Sequence, residues 1–142
     1  MNTQLLQGKS VLVVEDNHIN QLLVKHTLSA SGALIDICDN GATALEKIHN
    51  KKYDLILMDI HLPGLDGYQT TEIVRKELNL DLPILAMTAS IKSEAEKCIS
   101  LGMNGYVFKP FTLEVLYEAI EKALAQPYTL IGFGYNTQPY VH

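Results

Sequence analysis

The chain has 142 residues, of which 47% are hydrophobic and 19% charged, and its formal net charge is −5. This length and composition are typical of one globular domain and exclude an intrinsically disordered chain. Nucleic-acid binding depends on neutralising phosphates, so an acidic chain without a basic cluster is a poor candidate for it, and we expect no direct contact with nucleic acid.

The sequence also predicts a cytoplasmic location without membrane insertion. No apolar run approaches the roughly 20 residues that span a bilayer, and the N-terminus lacks the features of a secretory signal. The two cysteines, Cys38 and Cys98, have no metal-binding spacing. We therefore expect buried free thiols in a reducing compartment.

Five short apolar runs recur along the chain and predict five β-strands. They occupy residues 10–15, 33–38, 54–59, 83–88 and 105–110. Apolar residues recur at helical spacing between these runs, and such alternation is typical of a parallel sheet with helices on both faces. The first, third and fourth runs are almost wholly apolar, as in central strands. Polar and apolar residues alternate in the second run, which suits an edge strand.

Each segment that follows a strand has an apolar helical face, which we expect to pack on the sheet. In chain order these faces comprise Ile19, Leu22, Leu23, His26, Thr27 and Ala30; Ala42, Leu45 and Ile48; the less regular set Tyr68, Ile73, Val74 and Leu78; Ala95, Ile99 and Leu101; and Leu113, Leu116, Ile120, Ala123 and Leu124. Gly32 and Gly102 are placed as glycines that end helices. The turn at 39–41 is placed as the start of the second helix.

The domain is expected to cover residues 9–125, after an N-terminal extension at 1–8. Residues 126–142 differ in composition, with two prolines, two glycines and no Asp, Glu, Lys or Arg. We interpret them as a tail or linker, with a packed aromatic arm as the alternative.

Polar and charged side chains stand at the same end of four predicted strands. Glu15 and Asp16 follow the first strand, Asp59 ends the third, Thr88 the fourth and Lys109 the fifth. In an open parallel sheet, the carboxyl ends of the strands form the ligand crevice where the strand order reverses. If the first, third and fourth strands are neighbours, three carboxylates converge and need a cation. Oxygen ligands of this kind predict Mg²⁺.

The same strand ends suggest phosphoryl chemistry. A backbone carbonyl usually completes such a metal site, and His61 could supply one. Lys109 opposite the metal would make a two-cation clamp for a phosphoryl group, with the Thr88 hydroxyl donating to one phosphoryl oxygen. Asp59 would then be a nucleophile that becomes an aspartyl phosphate. Taken singly, the acids could be helix caps and Lys109 an exposed loop residue, but their shared end of the sheet favours a site.

At these residues the sequence resembles the receiver domains of two-component signalling, over residues 9–125. The resemblance is carried by "VLVVEDN", "DLILMDIHLPGLDGYQ", "PILAMTA" and "GYVFKPF". It implies an α/β fold of flavodoxin-like type, a doubly wound (βα)5 three-layer sandwich with parallel sheet order 2-1-3-4-5. The roles that it implies are phosphoacceptor for Asp59, metal ligands for Glu15, Asp16, Asp59 and the His61 carbonyl, and phosphoryl contacts for Thr88 and Lys109.

The resemblance also implies a switch. Tyr106 matches the aromatic residue that turns inward when Thr88 moves toward the phosphoryl group. The bond between Lys109 and Pro110 is often cis in this family.

Within the family, the sequence looks most like receivers attached to hybrid histidine kinases. The implied partner is a sensor histidine kinase or a histidine phosphotransfer domain of a phosphorelay. The implied activity is self-phosphorylation from a phosphohistidine with slow autodephosphorylation, unlike a conventional metabolic enzyme. The implied output is regulation of a partner or attached domain, with a phosphorylation-dependent dimer as one form of it. The expected location is the cytoplasm, including the cytoplasmic part of a membrane-bound hybrid kinase.

Three alternatives accompany this interpretation. A degenerate receiver would act only as an interaction module, although such members usually lack an acidic or lysine position that is present here. A haloacid-dehalogenase-like phosphatase would have a second aspartate where His61 stands. A nucleotide- or flavin-binding domain of the same architecture would carry a glycine-rich first turn, which residues 13–20 lack.

Overall fold

The computed structural model of the chain describes residues 4–89 and 92–125. Ser90, which follows the fourth predicted strand, and the predicted tail at 126–142 lie outside the described residues. The strands are β1 (Ser10–Val14), β2 (Leu34–Cys38), β3 (Leu55–Asp59), β4 (Ile84–Thr88) and β5 (Gly105–Phe108). The helices are α1 (His18–Thr27), α2 (Gly41–Asn50), α3 (Gly67–Glu72), α4 (Lys92–Ser100) and α5 (Leu113–Ala125). Across these described ranges, no helix combines the length and apolarity that crossing a membrane requires.

The five strands form one parallel sheet in the order β2-β1-β3-β4-β5. The predicted doubly wound architecture and its strand order are therefore confirmed. β2 lies at an edge, as its alternating pattern predicted, whereas every residue of β3 and β4 is buried. The chain reverses its direction of winding between β1 and β3, and this reversal opens a crevice at the carboxyl ends of those two strands.

Successive side chains along each strand point to opposite faces of the sheet, so the core has two halves. Ile56 and Met58 of β3 pack in the half that α2, α3 and α4 cover. Leu55 and Leu57 pack in the half that α1 and α5 cover. Leu6, from the predicted N-terminal extension, is fully buried in this second half.

The predicted core face of α1 is wrong in its main members. Ile19, Leu22 and Leu23 are 68%, 53% and 57% exposed, and the helix meets the core through Val24 and Leu28. The physical reason is that α1 is apolar on two sides, while a helix laid on a sheet buries only one. The exposed side leaves an apolar stripe, defined here as Ile19, Leu22 and Leu23.

The other helices use the predicted faces with small shifts. Predicted core residues that are buried include Ile48, Val74, Ala95, Ile99, Leu116, Ile120 and Ala123. In α2, Ala42 is exposed and Ala44 is buried instead.

The predicted helix ends are confirmed in two places and wrong in one. The Asn40 side chain caps α2 by accepting a hydrogen bond from the Thr43 backbone N–H. Gly102 follows the end of α4 with φ at +103°, as a terminating glycine does. Gly32 has a positive φ of +78°, but it lies in a turn after α1 has already ended, as does Ala30.

Both cysteines are free and buried, as predicted. Burial raises the pKa of Cys38 to about 11 and that of Cys98 to about 12. Neither thiol therefore forms an appreciable amount of thiolate near neutral pH.

The irregular apolar pattern after the third strand has a structural cause. α3 continues as a π-helical segment, Ile73–Glu77, whose wider turn breaks the 3.6-residue period. Arg75 in this segment is 2% exposed. Its guanidinium donates to the carbonyls of Gly102, Leu80 and Leu82 and to the Asn104 side chain, at 2.7–3.0 Å. One buried side chain thereby ties the end of α3 to the loops before β4 and β5.

We predict that Arg75→Met lowers the free energy of unfolding by about 3 kcal/mol, because it leaves several buried carbonyls without their donors. Lys76→Met is the matched control, since Lys76 is exposed and pairs only weakly with Glu72 one turn earlier. Urea unfolding of both variants measures the difference. Equal stability of the two variants would contradict the structural role of Arg75.

Candidate functional site

The carboxyl ends of β1 and β3 bring three carboxylates together. Glu15 and Asp16 directly follow β1, and Asp59 is the last residue of β3. One carboxylate oxygen of each lies within 4.8 Å of those of the other two. Glu15 is 0% and Asp59 4% exposed, whereas Asp16 is exposed. The predicted convergence of the acids is thus present, with two of them buried and one open to solvent.

Lys109 reaches this acidic cluster from the end of β5. Its ammonium lies 2.6 Å from Glu15 Oε1 and 3.2 Å from Asp59 Oδ2. Burial acts to lower the pKa of Lys109, but the hydrogen bond to Glu15 and the charge of Asp59 outweigh it, so the pKa lies above its ordinary value. Lys109 therefore stays protonated at physiological pH and offsets the charge of two buried carboxylates.

The start of α1 holds Glu15 in place. The Asn17 backbone N–H donates to Glu15 Oε2 at 3.1 Å, and the Gln21 side-chain amide donates to the Glu15 carbonyl at 2.6 Å. Asn17 also caps the helix through its side chain, which accepts from the Asn20 backbone N–H. The sequence analysis did not predict the capping role of Asn17 or the contact of Gln21 with Glu15. The N-cap preference of asparagine could have signalled the cap, whereas the six-residue separation of Gln21 from Glu15 gives no signal.

The loop after β3 orients Asp59 from the other side. The His61 backbone N–H donates to Asp59 Oδ1 at 3.0 Å. Further along, α3 begins directly beneath this loop, because Gly67 has no Cβ to collide with the backbone. A Cβ at Gly67 would lie 2.6 Å from the Ile60 Cα. Each oxygen of the Asp59 carboxylate thus accepts a hydrogen bond, one from His61 and one from Lys109.

A glutamate that the sequence did not single out lies beside the other predicted residues. The Thr88 hydroxyl, fully buried at the end of β4, donates to Glu94 Oε1 at 2.9 Å. The imidazole Nε2 of His61 lies 3.1 Å from Glu94 Oε2. Glu94 stands in the first turn of α4, where an acid normally signals only a favourable helix dipole interaction. For this reason its position in the sequence gave no hint of the contacts.

The remaining predicted residues lie on β5 and just after it. Tyr106 is half-buried, and its ring centroid is 5.3 Å from that of Phe108, which is exposed. Burial raises the pKa of the Tyr106 phenol. The peptide bond between Lys109 and Pro110 is cis. The movement of Tyr106 stays a prediction.

A groove of about 330 Å³ runs from the acidic cluster along α1. Glu15 and Lys109 form its polar end, and Leu23, Val24 and Phe111 contribute apolar walls. Leu23, one member of the exposed apolar stripe of α1, therefore lines a groove that ends at the carboxylate site.

A family model for the response regulator receiver domain matches residues 11–121. The chain belongs to this family. Its sequence relatives include the sensor protein EvgS of Escherichia coli (strain K12) and histidine kinase 2 of Arabidopsis thaliana. The first is 40% identical over 108 residues, which are 75% of this chain and 9% of EvgS. The second is 36% identical over an alignment of 143 positions, which covers 83% of this chain and 12% of the plant protein.

The receiver domain is also similar to solved structures. The receiver domain of the sensor histidine kinase PA1611 from Pseudomonas aeruginosa PAO1 superimposes with a TM-score of 0.76 at 35% identity, covering 84% of this chain and 99% of that one. It was crystallised with a magnesium ion coordinated in the active site cleft. The predicted resemblance to receivers of histidine kinases is confirmed. The chain spans only about a tenth of the length of EvgS and of histidine kinase 2.

The receiver domain has the donor set of a hard-cation site. Three carboxylates offer oxygen ligands, and the exposed Asp16 leaves a side open to water and to further ligands. Oxygen ligands with open positions suit Mg²⁺, which keeps several waters. The residues therefore fit a divalent cation next to the Lys109 ammonium.

We predict that Lys109→Met lowers the free energy of unfolding by about 2 kcal/mol in the presence of a chelator, because two buried carboxylates lose their shared cation. Mg²⁺ should reduce this loss of stability, since the bound ion would replace part of the positive charge that Lys109 supplied. Lys122→Met, which removes an exposed pair with Glu118, should change stability little. Unfolding curves with and without Mg²⁺ measure these differences, and a Lys109→Met variant as stable as the unsubstituted chain in chelator would contradict the electrostatic account.

Proposed function

We propose that this receiver domain accepts a phosphoryl group from a phosphohistidine onto Asp59 and switches conformation to regulate a partner or an attached domain. One observation carries the proposal. Asp59 is a buried carboxylate at a strand end, hydrogen-bonded at both oxygens, with an ammonium on one side and two further carboxylates within 4.8 Å. A helix cap or a structural ion pair needs no such convergence.

The acidic residues would hold Mg²⁺. Glu15, Asp16 and Asp59 supply the carboxylate oxygens, and the His61 backbone carbonyl is the further ligand that the family resemblance implies. When bound, the ion offsets the negative charge shared by the carboxylates and the incoming phosphoryl group.

The chain's own groups then carry the transfer. A carboxylate oxygen of Asp59 attacks the phosphorus, the bond from phosphorus to the imidazole nitrogen breaks, and that nitrogen keeps the electron pair. Lys109 donates to a phosphoryl oxygen, and Thr88 donates to another once its hydroxyl has turned toward Asp59. Attack by water on the acyl phosphate later restores the carboxylate and releases inorganic phosphate. The domain is thus the substrate of its own reaction, and Tyr106 follows Thr88 in the switch.

The apolar stripe of α1 is the docking surface for the phosphodonor in this proposal. Its residues are exposed on a helix whose groove ends at Glu15 and Lys109. A donor that packs its own apolar helix face there would bring a phosphohistidine to the open side of the carboxylates. The partner is accordingly a sensor histidine kinase or a histidine phosphotransfer domain, met in the cytoplasm. A phosphorylation-dependent dimer stays a prediction.

The alternative of a degenerate interaction module is less well supported. Such a module would have no need for the full ionic set, yet Glu15, Asp16, Asp59 and Lys109 are all present and in contact range.

We predict that the chain becomes phosphorylated in Mg²⁺ when it is given a small donor such as acetyl phosphate, and that Asp59→Asn abolishes the label. Asp39→Asn is the control, because Asp39 is an exposed acid at the end of the edge strand β2. Intact-protein mass spectrometry measures the added phosphoryl group. Label retained by Asp59→Asn would refute the assignment of the phosphoacceptor, and loss of label in chelator would support the metal requirement.

We predict that Ile19→Glu slows transfer from a phosphohistidine protein at least tenfold, because it places a charge in an apolar contact. The same variant should still react with acetyl phosphate, which needs no docking surface. Leu34→Glu is the matched control, since Leu34 is also apolar and exposed but begins β2 at the opposite end of the sheet. Equal transfer rates for Ile19→Glu and Leu34→Glu would contradict the assignment of α1 as the docking surface.

A further inference from the structure

Glu94 connects three segments of the chain at the edge of the site. Its first carboxylate oxygen accepts the Thr88 hydroxyl from the end of β4, and its second lies next to the His61 ring from the loop after β3. Glu94 itself belongs to the first turn of α4. The contact to Thr88 is the more shielded of the two, because Thr88 is fully buried whereas the His61 side chain is 60% exposed.

The hydrogen bond from Thr88 is incompatible with the phosphorylated state described above. A hydroxyl has a single proton to donate. While the Thr88 hydroxyl donates its hydrogen bond to Glu94 Oε1, it cannot also donate one to a phosphoryl oxygen attached to Asp59. Both acceptors carry negative charge, so both form strong, charge-assisted hydrogen bonds. Thr88 therefore chooses between two acceptors, and Glu94 holds it in the absence of a phosphoryl group.

We propose that Glu94 is a latch that keeps Thr88 in its unphosphorylated position and couples the release of Thr88 to the first turn of α4. This inference rests on the proposed function, since it assumes that Thr88 turns toward a phosphoryl group on Asp59. Glu94 acts through Thr88 and is a positioning residue. Glu94 stabilises the resting position of Thr88. It therefore weakens the binding of a phosphoryl group by the factor by which it lowers the population of the released position.

The latch also explains how the event at Asp59 would reach the surface. In the resting state, the Glu94 carboxylate fastens the first turn of α4 to the end of β4. When Thr88 turns away, this hydrogen bond between the first turn of α4 and the end of β4 is lost. The release of Thr88 therefore changes how the first turn of α4 is held against the sheet. The two positions of the Thr88 hydroxyl would thus correspond to two states of the first turn of α4.

The affinity for beryllofluoride, a phosphoryl mimic, in the presence of Mg²⁺ tests the latch at equilibrium. We expect Glu94→Ala to bind the mimic roughly three to ten times more tightly than the unsubstituted chain, because Thr88 no longer has to leave a charged acceptor. Glu94→Gln, which keeps an acceptor oxygen but loses the charge, should lie between the two. Glu96→Ala is the matched control, since Glu96 is an exposed acid in the same helix. Amide NMR titrations supply the affinities and also verify that each variant is folded.

A double-mutant cycle separates the latch from a general effect on α4. In a Thr88→Ala background, Glu94→Ala should leave the affinity for beryllofluoride unchanged, because there is no hydroxyl to release. A merely structural role of Glu94 would give the same change in both backgrounds, and that result would overturn the latch. So would an affinity of Glu94→Ala equal to or weaker than that of the unsubstituted chain.

The failure of the latch and that of the proposed function give different results. If the unsubstituted chain binds no beryllofluoride and takes no label from acetyl phosphate, the proposed function fails and the latch fails with it. If the unsubstituted chain binds the mimic and Asp59→Asn does not, while Glu94→Ala shows no gain, only the latch is overturned.

Discussion

The ion pairs of one ammonium with two buried carboxylates are the constraint on which the site depends. Glu15, Asp59 and Lys109 come from the ends of three different strands, and the parallel pairing of β1 with β3 brings the first two side by side. Buried carboxylates at such close range repel each other and lose hydration. Lys109 makes their convergence tolerable in the absence of a metal, and it leaves the exposed side of Asp16 available to one.

The rest of the site consists of hydrogen bonds that hold the acids against this repulsion. Gln21 fixes the backbone of Glu15, and the His61 backbone N–H fixes one oxygen of Asp59. These donors are neutral groups on α1 and on the loop after β3, so they orient the carboxylates without adding charge. The arrangement holds two buried carboxylates in a fixed geometry, and the proposed phosphoryl transfer needs in addition the positive charge of Lys109 and of a bound cation.

Sequence patterns predicted the five strands of the sheet and the convergence of the acidic residues, because both depend on where buried strands begin and end. A strand buried on both faces is a continuous apolar run, and the residue that ends it lies at a known edge of a parallel sheet. The helix α1 was harder, since Leu22 and Leu23 have the same apolar character as Val24 and nothing local says which side the sheet covers. The π-helical turn after α3 hid the face of that segment by changing its period. Glu94 was missed because its contacts depend on where α4 starts relative to β4, which is a tertiary property.

In the proposed function, docking of the phosphodonor and the conformational switch belong to helices on opposite faces of the sheet. The apolar stripe belongs to α1, which packs on the same face of the sheet as α5, whereas Glu94 belongs to α4 on the opposite face. Both meet the strand ends that carry the site, the stripe through the groove lined by Glu15 and Lys109 and Glu94 through its hydrogen bond from Thr88. A phosphodonor docked on α1 would therefore leave the start of α4 uncovered. In this proposal the phosphodonor and the switch therefore occupy different faces of the sheet, and they meet at the carboxyl ends of the central strands.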